Sequence, residues 1–249
     1  MELVSIIMPC HNGAKFIDES INSVLSQSYS YWELLIIDDQ STDESVNIVK
    51  NYCQEDSRIK LFENDNPKGK PFAPRNLGIK NASGRFIAFL DCDDKWLPTK
   101  LENQIKLFED SMCAVTFSYY KKMDEESVVR DGIIKSPAKV LYKHLLYGNC
   151  IGNLTAVYDT QKVGKVFQKD IHHEDYVMWL EILNKGFYAL NTNSVEAVYR
   201  ESSDSTSGNK ISAFLWTWDI YRKELKLNIY SSCFHFIIYS IKAVIKFLK

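Results

Sequence analysis

Residues 86–96 read FIAFLDCDDKW, an apolar run that stops abruptly at a cluster of acids. The run Phe86–Leu90 is short and wholly apolar, which predicts a strand buried on both faces. Asp91 and Asp93 follow it two residues apart. In extended backbone, residues i and i+2 project from the same face, so the two carboxylates aim at one point. They repel each other there unless a cation lies between them. Mg²⁺ or Mn²⁺ suits this arrangement: a hard ion takes few protein carboxylates and fills its other positions with diphosphate oxygens and water. The plain alternative is a solvated turn or a helix cap, where Asp is also common.

The same logic extends upstream. Val4 to Met8 is a β-branched apolar run closed by Pro9. Ile17, Ile21, Val24 and Leu25 recur at helical spacing. Glu33 to Ile37 (ELLII) predicts a second strand ending at Asp38 and Asp39. Ser41 with Glu44 has the pattern of a capping box, and a helix is predicted from there to about Cys53. Ile59 to Phe62 predicts a third strand, Asn76 to Ala82 a short helix, and Pro98 stands near the start of another helix through about Glu109. The order β-α-β-α-β-α-β points to an α/β fold with a doubly wound, mostly parallel sheet. Ligands of such sheets gather at the carboxyl ends of the strands, and both acidic groups lie at such ends. Asp38 and Asp39 also have a structural reading, as turn formers or as the cap of the next helix.

The second half is less regular. Ala114 to Tyr120 predicts a strand, and the charged residues 121–131 a solvated hairpin or loop. Asp175 to Lys185 predicts a helix, Val195 to Arg200 a strand, and 201–210 (ESSDSTSGNK) a flexible polar loop. From Ile211 the chain reads as helical to its end. Two adjacent histidines, His172 and His173, would point to opposite faces of an extended chain, which argues against a shared metal.

Bulk properties narrow the function classes. The chain has 249 residues, 45% of them hydrophobic, enough for a sizeable core. Its net charge of -2 supplies no global basic field for nucleic acid. The six cysteines form no Cys-x-x-Cys pair and no zinc spacing, so reduced thiols in a cytosolic protein are expected. MELVSIIMPCHNG has no basic leader, so a secretory signal is not expected.

Four segments, SIIMPCHNG (5–13), IIDDQSTDES (36–45), PRNLGIKNASGRFIAFLDCDDKW (74–96) and HEDYVMWLEI (173–182), come in an order and spacing that resemble glycosyltransferase family 2 with the GT-A fold. The resemblance covers about residues 3–200 and is greatest to bacterial O-antigen and capsule transferases that extend a lipid-linked saccharide. It implies a catalytic domain over about 1–210, with a nucleotide-sugar half over 1–112 and an acceptor half over 113–210, followed by a helical segment over 211–249. By resemblance, Pro9 and His11 line the nucleotide pocket, Asp39 holds the uracil ring, and Asp38 supports its turn. Arg75 stands beside the nucleotide, Asp91 contacts the ribose, and Asp93 binds the metal. Asp94 either joins the metal site or caps the next helix. Asp175 is implied as the general base, which the chemistry requires because a sugar hydroxyl is a very weak acid. Glu174 is implied to orient the acceptor. Acids in a first helical turn also have a purely structural use, favoured by the helix dipole. Trp179 is a candidate platform under the acceptor sugar, against a core role. Arg200 and Lys210 are candidates to neutralise the departing diphosphate.

The implied reaction is inverting transfer from a UDP-sugar to a saccharide hydroxyl with Mn²⁺ or Mg²⁺. The segment 229–249 is rich in aromatic and aliphatic residues, with Ser231, His235, Lys242, Lys246 and Lys249 on one helical stripe. Its uncharged stretch is short for a membrane span. An amphipathic helix lying on the inner face of a bacterial cell membrane is expected, with Lys reaching anionic lipid. The alternatives are packing on the domain or a homodimer interface. Rival functions are a nucleotidyltransferase, whose Gly-rich basic loop is not matched by CHNGAKF, and a non-catalytic sugar-nucleotide-binding scaffold.

Overall fold

The computed structural model describes residues 1–65, 69–201 and 210–247. The polar loop predicted at 201–210 lies, apart from its two end residues, outside the described residues, as does the side chain of Lys210.

The amino-terminal half alternates strands and helices as its hydrophobic periods dictate. The strands are β1 (Val4–Cys10), β2 (Trp32–Asp38), β3 (Ile59–Glu63) and β4 (Phe86–Phe89), and the helices between them are α1 (Ile17–Leu25), α2 (Ser45–Glu55) and α3 (Phe72–Asn81). A two-residue strand β5 (Lys95–Trp96) and helix α4 (Lys100–Lys106) follow. The second half contains β6 (Cys113–Met123), β7 (Val129–Ile134), β8 (Lys139–Leu141), α5 (Tyr142–Leu145), β9 (Val157–Asp159), α6 (Thr160–Val163), α7 (Glu174–Leu183), β10 (Tyr188–Arg200), α8 (Lys210–Asp219) and α9 (Ile229–Phe247). The strands form one ten-stranded sheet with the backbone order β3-β2-β1-β4-β9-β6-β10-β5, while β7 pairs with β6 and β8 with β10.

β1, β2, β3 and β4 pair in parallel, and β1 lies between β2 and β4. The winding reverses at β1, and this opens a crevice beyond the carboxyl ends of β1 and β4. β9 is antiparallel to both β4 and β6, and β10 is parallel to β6. Two reversals restore the direction, so the carboxyl end of β10 lies on the same edge as those of β1, β2 and β4.

Because successive strand residues face opposite sides, the apolar strands supply two cores. Ile7, Leu35, Ile37, Ile87 and Phe89 face α3 and α7, whereas Ile6, Met8, Leu34, Ile36 and Ala88 face α1, α2 and α4. Gly78 lets α3 sit directly on β1, since a Cβ there would come within 2.5 Å of Ile7 Cγ2.

The local expectations are corrected at several points. Ser41 and Glu44 form no capping box. The Ser41 backbone N–H is held by Asp38, and α2 begins later, where the Asp43 carboxylate accepts the Ser45 N–H at 3.0 Å. The charged segment 121–131, expected as a hairpin or loop, is a hairpin formed by the end of β6 and the start of β7. The carboxyl-terminal helix is broken: a π-type turn (Ile220–Glu224) and the left-handed Lys226 (φ 51°) separate α8 from α9.

Candidate active site

The parallel strands bring the first acidic pair, Asp38 and Asp39, beside the end of the SIIMPCHNG segment. The Asp39 N–H donates to the Cys10 carbonyl at 2.7 Å, locking the end of β2 to that of β1. His11 Nδ1 lies 2.9 Å from the Asp39 carbonyl oxygen, which can only accept, so Nδ1 carries the proton. The Asp38 carboxylate accepts the Ser41 N–H at 3.2 Å and supports the turn. The Asp39 carboxylate accepts Asn64 Nδ2 at 2.6 Å, and the Asn64 N–H donates to the Asp38 carbonyl at 2.8 Å. Asn64 is buried and fixes Asp39 from below. No sequence signal marked it, since it lies in an irregular polar stretch after β3. Pro9, half-buried, sits opposite Ile37 at the end of β1.

The loop after β4 is anchored through its backbone. Ser20 Oγ on α1 lies 2.8 Å from the Cys92 carbonyl and 2.7 Å from the Asp94 carbonyl. This leaves Asp91 and Asp93 half-buried at the edge. Asp94 is turned inward. It is 1% exposed and accepts the Arg200 N–H at 2.7 Å, so it neither joins an open metal site nor caps α4. Burial, reinforced by Asp93 and Asp91, pushes its carboxyl well above the usual range.

Arg200 also departs from expectation. Its guanidinium is fully buried: it donates to the Asp93 carbonyl (2.8 Å), the Asp124 carbonyl (3.0 Å) and Ser127 Oγ (2.9 Å), and pairs with Glu19 at 3.1 Å. It also lies over the Phe16 ring at 4.0 Å. Reaching a diphosphate would leave those partners unsatisfied. Arg200 therefore holds the acidic loop in shape.

Across the crevice, Arg75 on α3 forks between the two halves, 2.7 Å from Asp91 and 3.1 Å from Glu174. Burial opposes its charge, but Asp91 and Glu174 outweigh that and hold it above its ordinary value. Glu174 and Asp175 occupy the first turn of α7, and Asp175 accepts Asn149 Nδ2 at 3.2 Å. Burial, then the neighbouring Glu174, pushes the Asp175 carboxyl up to about 6. Trp179, one turn on, is 0% exposed and packs edge-on to Phe89 and Tyr158. It is a core residue and offers no face to a sugar. His172 and His173 do not diverge. His173 adopts the left-handed conformation (φ 60°), and both rings contact Trp216, with His172 stacked at 3.9 Å.

The donor set fits a divalent ion that is shared with a ligand. Burial, then the charge of Asp91, pushes Asp93 up to about 6. Among the described residues, no other side chain hydrogen-bonds the Asp93 carboxylate, and no cluster of three protein ligands occurs. An ion there would need oxygens from a bound diphosphate. A groove of about 530 Å³ at the opposite edge of the sheet, lined by Tyr29, Arg85 and Phe108, contains none of these groups.

Comparison with known proteins identifies the family and the fold. Residues 5–160 match the family described as Glycosyl transferase family 2. The chain is 36% identical over 245 residues to the putative teichuronic acid biosynthesis glycosyltransferase TuaG of Bacillus subtilis, covering 98% of this chain and 97% of that one. It is 41% identical over 219 residues to the Escherichia coli UDP-Glc:alpha-D-GlcNAc-diphosphoundecaprenol beta-1,3-glucosyltransferase WfgD, covering 88% and 85%. Among solved structures it resembles S. aureus TarS 1–349 in complex with UDP-GlcNAc, with a TM-score of 0.73 at 18% identity, over 96% of this chain and 70% of that one. That likeness identifies the fold as GT-A. The chain belongs to glycosyl transferase family 2.

Proposed function

We propose that the chain is a metal-dependent, inverting hexosyltransferase. It transfers a hexose or N-acetylhexosamine from a UDP-sugar to a hydroxyl of an undecaprenyl-diphosphate-linked saccharide in surface polysaccharide synthesis. The single observation that carries this reading is the Arg75 fork, which ties the nucleotide-side Asp91 to the acceptor-side Glu174 beside a carboxylate suited to a base. Support for the substrate class comes from WfgD, whose name specifies a UDP-glucose donor, a diphosphoundecaprenol acceptor and a β-linkage. UDP-glucose carries an α bond, so a β product requires inversion.

Asp39, held by Asn64, accepts hydrogen bonds from the nucleobase, with Pro9 and His11 lining the pocket. Asp91 meets the ribose, and Asp93 would hold Mn²⁺ or Mg²⁺, which supplies positive charge for the departing diphosphate. Asp175, ionised above about pH 6, takes the proton of the acceptor hydroxyl. That oxygen forms its bond to the anomeric carbon as the bond from this carbon to UDP breaks, and no covalent enzyme intermediate is required. Glu174, fixed by Arg75, orients the acceptor. Lys210 at the start of α8 is kept as a candidate partner of the diphosphate.

Membrane contact is assigned to α9. No helix among the described residues is long and apolar enough to cross a membrane. On α9, however, Tyr230, Phe234, Ile237, Ile241 and Ile245 are exposed along one side. Of the polar stripe, His235 and Lys242 lie instead against Tyr147. The outward apolar side suits shallow insertion at the inner face of the cell membrane.

The test is a screen of UDP-sugars with Mn²⁺ or Mg²⁺ and a synthetic GlcNAc-diphosphate-lipid acceptor. The expected products are UDP and an acceptor heavier by one sugar. Release of pyrophosphate would instead support a nucleotidyltransferase. No turnover with any donor, despite UDP binding, would support a scaffold.

A further inference from the structure

The segment from the end of α5 to β9 touches both the candidate base and the carboxyl-terminal helices, and no sequence motif singled it out. The Leu145 carbonyl accepts the Tyr176 hydroxyl of α7. The Leu146 carbonyl accepts the Tyr221 hydroxyl, from the turn after α8, at 2.7 Å. The Tyr147 ring lies 5.3 Å from the His235 ring and 5.0 Å from Lys242 Nζ, both on α9. Gly148 has φ +118°, and a Cβ there would come within 3.2 Å of Tyr239 Cδ2, also on α9. The next residue is Asn149. Its Oδ1 accepts the Ile151 N–H at 3.0 Å, which fixes the orientation of the amide. Its Nδ2 therefore points at Asp175, 3.2 Å away, as a donor.

We propose that Asn149 is a positioning residue for Asp175 and that α9 seats the Asn149 segment, so that the base depends on the carboxyl-terminal helix as well as on α7. The proposal rests on the reading of Asp175 as the base. It gives α9 a second role: its exposed side faces outward, and its packed side braces the acceptor half of the site. A helix that only anchored the enzyme would affect transfer to membrane-held acceptors alone. A brace also affects transfer to a soluble acceptor.

Two measurements on the 249-residue chain test this. With a short-chain, water-soluble diphosphate acceptor, Asn149→Ala should lower kcat about tenfold with KM for the UDP-sugar unchanged, because a hydrogen bond to a charged carboxylate is lost. Tyr239→Ala should move kcat in the same direction, and Tyr239→Phe, which keeps the ring against Gly148, should restore it. Independently of turnover, carboxyl-carbon NMR should follow the titration of Asp175. Glu174 on α7 raises its midpoint and Arg75 on α3 lowers it, and both remain in the variants. Loss of the Asn149 donor should therefore move the midpoint upward in Asn149→Ala. Tyr239→Ala should give the same shift, and Tyr239→Phe none. An unshifted midpoint in Asn149→Ala, or a Tyr239→Ala change confined to vesicle binding, would overturn the proposal. Failure of the wild type to transfer any sugar would overturn the activity, while the NMR result would still decide the brace.

Discussion

The two sides of the crevice are built differently. On the proposed donor side, Asp39 and the Asp91–Asp94 loop stand at or directly after the ends of parallel strands, and hydrogen bonds from neighbouring elements hold them. Asp39 is tied to β1 and to Asn64, and the Asp91–Asp94 loop to α1 and β10. On the proposed acceptor side, Glu174 and Asp175 sit on a short helix and are held by side chains from separate pieces: Asn149, from a connecting segment, bonds Asp175, and Arg75, across the crevice, bonds Glu174. The donor side is therefore fixed at the carboxyl edge of the sheet. The acceptor side is fixed by peripheral elements that lie outside the parallel strands.

The sharpest break of this comparison is Asp175→Asn. It should lower kcat by about a thousandfold while UDP binding, measured by calorimetry, stays unchanged. Loss of UDP binding in this variant would mean that the two sides are not separable. Next comes Trp179→Ala, which should cost about 3–5 kcal/mol in urea denaturation, as expected for a core aromatic. A normal midpoint with a raised KM for the acceptor would return Trp179 to the sugar site. Arg75→Met should lower transfer about a hundredfold, since charge-assisted bonds to both Asp91 and Glu174 disappear. Arg75→Lys should recover only part of that, because a compact ammonium cannot fork between two carboxylates.

The pH profile gives a smaller effect. A base must be ionised, and Asp175 lies near 6, so kcat should fall by about tenfold per unit below that value and level off above it. A limb near the ordinary range of aspartate, about 4, would mean that Asp175 is solvated rather than enclosed. The smallest effect concerns the rim of the acceptor side. Ile237→Ser with Ile241→Ser should weaken binding to anionic vesicles about fivefold in a sedimentation assay. Unchanged sedimentation would leave the exposed side of α9 to another occupant.

The order of strands and helices through β4, and the placing of Asp38, Asp39, Asp91 and Asp93 at strand ends, were set by the sequence alone. Hydrophobic period is a local property, and a buried parallel strand must stop where the acids begin. The tertiary structure alone decided which way the side chains turned. Asp94 and Arg200, read as ligand groups, bond each other's elements because burial forces each polar atom to find a partner. Trp179 follows Asp175 by one turn, yet α7 buries that face against Phe89 and Tyr158. Asn64 and Asn149 carry no pattern in sequence. They acquire their roles only where segments distant along the chain are brought within hydrogen-bond reach.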